Sequence, residues 1–112
     1  MNLPHDKFCV LPWVSLEASP IGTVRPCCLA DDEIVDSKSV KFNLKSANFR
    51  DIQNSEYMYQ LRQAFLAGKR PATCRKCWNE EDAGRTSKRM HTLDRLKHMG
   101  ITAEWTHDAK PL

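Results

Sequence analysis

Five cysteines constrain this chain more than any other feature, and two of them, Cys27 and Cys28, are adjacent in "RPCCLADDE". Neighbouring cysteines are poor partners for each other, because the small ring that would join them is strained. The others are Cys9, Cys74 and Cys77, which gives the spacing Cys9-x17-Cys27, then 46 residues, then Cys74-x2-Cys77. An odd count excludes complete pairing within one chain. The opening "MNLPHDKFCV" lacks the basic-then-apolar layout of a secretory signal. No apolar run approaches the roughly 18 residues of a membrane span. The expected compartment is therefore the cytoplasm, where thiols serve metals or catalysis rather than disulfides.

A length of 112 residues suggests one domain with one modest core. The 41% hydrophobic and 28% charged residues separate the chain from disordered tails and membrane proteins. A net charge of +3 tolerates an acidic partner or an anionic cofactor but does not argue for nucleic acid.

Residues 8–28 read as a β-hairpin. "CVLPWVSLEA" mixes β-branched, aromatic and polar residues, and "SPIG" places Pro20 and Gly22 at turn positions i+1 and i+3. "TVRPCC" then returns to bring Cys27 near Cys9. Pro12 and Pro26 each remove a backbone donor and limit these strands to short or edge pieces. Residues 31–54 read as a loop with one short strand near Val40–Leu44. Residues 55–67 form the clearest helix, capped by Asn54 or Ser55, with Met58, Leu61, Phe65 and Leu66 on one face and Gly68 and Pro71 as stops. After the knuckle "TCRKCW" and the acidic "NEED", residues 88–99 form a second helix through Met90, Leu93, Leu96 and Met99, ended by Gly100. "ITAEWTHDAKPL" has no pattern. The fold class is α+β, a small hairpin followed by helices around a metal cluster.

A C-x2-C knuckle aims two thiolates at one centre, and cysteines near the ends of both hairpin arms can supply two more. Four thiolates converging from two elements distant in sequence suit a 4Fe-4S cluster or a structural zinc.

The order C-x12-G-x4-C followed by C-x2-C resembles the auxiliary-cluster module of radical S-adenosylmethionine (SAM) enzymes, called SPASM in its long form and twitch in its short form. The similarity covers about residues 8–91, including "FCVLPWVSLEASPIGTVRPCC" and "IQNSEYMYQLRQAFLAGKRPATCRKCWNEEDAGRTSKR". By that resemblance Cys9, Cys27, Cys74 and Cys77 hold one auxiliary 4Fe-4S cluster, with Cys28 as an alternate ligand. No cysteine follows Cys77, so the one-cluster twitch form fits. The resemblance divides the chain into a twitch-like iron–sulfur domain over 1–91 and a helix end and tail over 92–112.

The CxxxCxxC that binds the SAM-cleaving cluster does not occur in this sequence. The chain is therefore expected to lack catalysis of its own and to serve a radical SAM core domain or subunit acting on a peptide or small molecule. Neither a membrane nor a nucleic acid is an expected partner. The cluster is expected to conduct electrons or to anchor structure, since four cysteines leave no iron open.

The remaining residues have quieter expected roles. Cys28 is expected to be a small buried hydrophobe. Arg25, Arg75 and Lys76 flank ligands but read as solvated charge. Trp13 and Trp78 read as core residues that could also shield the cluster. Glu80, Glu81 and Asp82 read as a solvated helix start. Gly84, Ser87 and Arg89 match a family-like G-x2-S-x-R tail used for packing, turn geometry or docking of the barrel. His5, His91, His98 and His107 show no ligand spacing, and the basic stretch 62–77 reads as ordinary surface.

Two other functions compete. One is a structural four-cysteine site for Zn2+ mediating protein or nucleic-acid binding, less favoured because zinc usually takes two close ligand pairs whereas Cys9 and Cys27 lie far apart. The other is a dithiol built on "CRKC", which lacks the expected βαβ context.

Overall fold

A computed structural model of the chain describes residues 6–100 and residue 109. His5, His107 and the unpatterned tail from residue 101, apart from Ala109, lie outside the described residues. The elements run α1 Leu11–Val14, β1 Glu17–Ala18, β2 Val24–Arg25, α2 Phe49–Gln53, α3 Glu56–Leu66, a 3-10 turn Ala72–Cys74, α4 Arg75–Asp82 and α5 Lys88–His98. This is a small α+β domain. Its two strands pair antiparallel, Glu17 opposite Arg25 and Ala18 opposite Val24.

The hairpin is shorter than its sequence suggests. "LPWV" closes a helical turn instead of continuing a strand, with the Ser15 amide donating to Leu11 O at 2.9 Å. Pro12 sits in the first turn, where its missing N–H would have had no partner anyway. Cys9 therefore precedes a helical turn, and Cys27 follows β2 instead of lying within it.

The turn itself forms as expected, the Gly22 amide donating to Ser19 O at 3.0 Å. Gly22 has φ +95°, and a Cβ there would stand 2.3 Å from Asn43 Oδ1. Asn43 is fixed in that place: its Nδ2 donates to Ile21 O at 3.0 Å and its Oδ1 accepts from the Lys45 amide at 2.9 Å. The strand expected near Val40–Leu44 is reduced to isolated bridges, Thr23 with Asn43 and Val35 with Lys41.

Helix starts follow local capping chemistry. Asn48 accepts from the Asp51 amide at 2.8 Å and opens α2, a helix within the stretch that reads as loop in the sequence. Ser55 opens α3 and Ser87 opens α5, each accepting from the amide three residues on. In α3, Met58, Leu61 and Phe65 are buried as expected, and Arg62 joins them.

In α5 the outcome differs. Leu93 and Leu96 pack against the core, but Met90 and Met99 are exposed, because the helix turns Arg89 inward. The core joins Phe8, Val10, Trp13, Val24, Ile34, Ile52, Met58, Leu61, Phe65 and Trp78. Burying each large apolar side chain contributes about 1.5–3 kcal/mol. Among the described residues no helix is long and apolar enough to cross a membrane.

Candidate metal centre

Two junctions gather cysteines that are far apart in sequence. Thr73, just before Cys74, accepts the Asp31 amide on its carbonyl at 2.8 Å and the Asp32 amide on Oγ1 at 3.0 Å. The loop that follows Cys27 and Cys28 is thereby tied to the start of the knuckle, and Arg75 adds an ion pair to Asp31 at 3.2 Å. At the other junction Arg89 of α5 donates to the carbonyls of Asp6 at 2.7 Å and Phe8 at 2.9 Å, fixing the backbone next to Cys9.

The knuckle is helical. Cys74 stands at the N-cap of α4 and Cys77 on its first turn, so both thiols leave one end of one helix.

Cys9, Cys27, Cys74 and Cys77 together line one cavity, whose other walls are Leu11, Leu29, Phe65, Trp78 and Arg89. Its cavity volume is small, about 20 Å³, at a site that opens to solvent. None of the five cysteines is in a disulfide. Four soft sulfur donors facing a largely apolar chamber is a donor set that suits an iron–sulfur centre. Among the described residues no three His, Cys, Asp or Glu side chains are grouped as a single metal ion requires.

The thiols resist ionisation in this chamber. Burial pushes Cys9 up from 9.0 to about 12, despite a hydrogen bond from the Leu11 amide. The nearby Cys27 and Cys77 raise it further, and the Arg89 charge opposes them. Burial likewise raises Cys27, countered by hydrogen bonds from the Leu29 and Ala30 amides. Cys74 is raised by burial and by the other three thiols. A positive centre that takes the thiolates and releases their protons reverses this cost.

The doublet resolves into two environments. Cys27 faces the cavity, and Cys28 is exposed and absent from its walls. The expectation of a buried Cys28 is thus corrected: the turn after β2, in which the Ala30 amide donates to Cys27 O at 3.2 Å, leaves Cys28 on the outside.

Trp78 lines the cavity and is 6% exposed, while Trp13 belongs to the core beside Phe8, ring centroids 5.1 Å apart. Glu80, Glu81 and Asp82 end α4 instead of starting a helix. Each is held by an arginine: Glu80 by Arg85, Glu81 by Arg89 and Asp82 by Arg70.

The basic stretch disperses in the same way. Arg62 is buried, Arg75 pairs with Asp31, and Arg70 lies 5.2 Å from the Trp78 ring centroid. Arg25 donates to Ala30 O at 3.2 Å. His91 is within hydrogen-bonding distance of Thr86 and His98 of Asp94, away from the thiols. Arg89, which reads from sequence as part of a packing tail, proves to be the cation in the cavity wall. Its signal is present in the G-x2-S-x-R pattern, but the pattern does not say which way the side chain turns.

In comparison with known proteins, residues 9–78, more than half of the chain, match the family model described as SPASM, iron–sulfur cluster-binding domain. No curated protein and no solved structure matches the chain significantly.

Proposed function

The chain belongs to the SPASM family of iron–sulfur cluster-binding domains, and from that premise we propose that Cys9, Cys27, Cys74 and Cys77 hold a single 4Fe-4S cluster. In this reading the chain is the one-cluster auxiliary module of a radical SAM system. It serves electron transfer or structural support and docks to a radical SAM core elsewhere in the same polypeptide or in another subunit.

The observation that carries the reading is the cavity shared by those four thiols and avoided by the fifth. Its sulfur lining suits an iron–sulfur centre, whereas zinc usually takes two close ligand pairs and Cys9 and Cys27 lie far apart in sequence.

The bound cluster supplies a one-electron couple whose net charge falls from about −2 to −3 on reduction. The residues do the rest. Leu11, Leu29, Phe65 and Trp78 give the chamber apolar walls. The amides of Leu11, Leu29 and Ala30 donate to Cys9 and Cys27, which stabilises thiolate over thiol. Four ligands leave no open coordination position, so substrate chemistry falls to the partner core.

The test is metal content on protein reconstituted without oxygen. About four irons and four sulfides per chain, with a colour bleached by dithionite, are expected. Alanine at Cys9, Cys27, Cys74 or Cys77 should each lose iron, and Cys28→Ala should keep it. A colourless protein with one tightly bound zinc, or a Cys28→Ala variant that loses the cluster, would overturn the assignment.

A further inference from the structure

We infer that Arg89 and Glu81 form a built-in electrostatic control on the reduction potential of the centre in the four-thiol cavity, Arg89 drawing electrons towards it and Glu81 limiting that pull. The inference rests on the proposed cluster and goes beyond it to residues that are not ligands.

Arg89 is 7% exposed and stands in the cavity wall beside the thiols. Among the described residues lining that cavity it is the one basic or acidic side chain. Its orientation is fixed from every side. Nε donates to Glu81 Oε2 at 2.9 Å and Nη2 to Glu81 Oε1 at 2.5 Å, a two-pronged contact. Nη1 donates to the carbonyls of Asp6 and Phe8. Its guanidinium carbon lies 5.4 Å from the Trp78 ring centroid. Glu81 is held in turn by Ser87 Oγ at 2.6 Å.

Besides fixing the backbone beside Cys9, Arg89 places a positive charge in a wall that is otherwise apolar or sulfur. When one electron arrives from a low-potential donor, the centre gains a unit of negative charge. A positive charge in a low-dielectric wall favours that state. Glu81 partly neutralises Arg89, so the pair sets an intermediate value. Removing either member must move the potential, in opposite directions.

The experiment is a mediated dithionite titration of reconstituted wild type, Arg89→Gln, Arg89→Lys and Glu81→Gln, with iron counted on the same samples. Arg89→Gln should lower the reduced-to-oxidised ratio at fixed potential by roughly tenfold, about 59 mV for a one-electron couple. Glu81→Gln should raise it, and Arg89→Lys should stay nearer wild type.

A purely structural role for the pair would change iron content or melting without opposite shifts. Iron-loaded variants whose potentials do not move, or move the same way, overturn the inference and leave the cluster reading intact. A wild type that binds no iron overturns the cluster reading itself. If Arg89→Gln cannot hold iron, Glu81→Gln and Arg89→Lys decide, and an unshifted or lowered potential in Glu81→Gln refutes the control.

Discussion

Gly22→Ala is expected to cost about 3 kcal/mol, and the structure separates that cost into two parts. The residue has φ +95°, in the region that side chains avoid, worth about 1–2 kcal/mol. The new Cβ would also sit 2.3 Å from Asn43 Oδ1, so the Asn43 side chain must leave. It then gives up its hydrogen bonds to Ile21 O and the Lys45 amide, each worth about 1 kcal/mol. For a domain of this size, 1 kcal/mol moves Tm by about 4–8 °C, so a fall of roughly 12–24 °C follows.

Asn43→Ala removes the obstructing atoms and costs about 2 kcal/mol by itself through the same hydrogen bonds. In that background Gly22→Ala should cost only the conformational part. The double variant should therefore be about 2 kcal/mol better than the sum of the singles. Urea unfolding of the iron-loaded protein under nitrogen, followed by far-UV circular dichroism, reads these differences as midpoints. Additive costs, or a Gly22→Ala penalty below about 1 kcal/mol, would refute the reasoning that Asn43 and left-handed backbone together require glycine here.

The cysteines and Glu81 allow two further tests. In iron-loaded protein iodoacetamide should modify Cys28 alone, read as one adduct by mass spectrometry. In the metal-free chain Cys9 and Cys74 should react last, because burial raises both thiols and leaves little thiolate at neutral pH. Labelling of Cys27 ahead of Cys28 would contradict the two environments assigned to the doublet.

Burial alone would raise the Glu81 carboxyl, but hydrogen bonds from Arg89 and Ser87 outweigh it and hold its pKa below the ordinary 4.5. Its contribution to stability is thus present above that value and lost as pH falls through the depressed pKa. The urea-midpoint gap between wild type and Glu81→Gln should narrow over that acid window, and a gap that widens would show the sign to be wrong.

Local signals carried much of the fold. The caps Ser55 and Ser87, the apolar spacing Met58, Leu61, Phe65 and the "SPIG" turn are each specified by residues within a few positions, and all were legible. Pro12 misled because one residue type limits a strand and favours the first turn of a helix; only the packing of Trp13 against Phe8 decides between them. Helix α4 was hidden because a C-x2-C knuckle reads as a turn, whereas here both cysteines fit the start of a helix. The set of four thiols was legible as spacing. Their shared cavity depends on Thr73 and Arg89, whose partners lie 41 and more than 80 residues away, and no local pattern reports such distances.

The position of Cys9 depends on arginines more than on secondary structure. Among the described residues the segment around it has no strand partner; Val10 O and Leu11 O accept from the Trp13 and Ser15 amides, and the carbonyls on either side take donors from farther along the chain. Arg89 supplies one at Phe8 O, and Arg62 supplies another at Pro12 O, 2.9 Å away. Arg62 also donates to Gln53 O and Oε1, both at 2.7 Å, and to Ala109 O at 3.2 Å. All these acceptors are neutral, and burial lowers its pKa to about 10. It remains charged at neutral pH because the fork satisfies it.

Arg62→Met should cost about 3 kcal/mol or more, since several buried acceptors lose their donor at once. Arg62→Lys should recover little, because an ammonium cannot span the same fork. If these contacts also hold Cys9 in place, iron content after reconstitution should fall in both variants while Cys28→Ala keeps its iron. Thermal melting and iron assay on the same samples read both effects. Wild-type melting with full iron in Arg62→Met would show that the backbone around Cys9 is held by the apolar packing of Phe8, Val10 and Trp13, and that the arginine fork is dispensable.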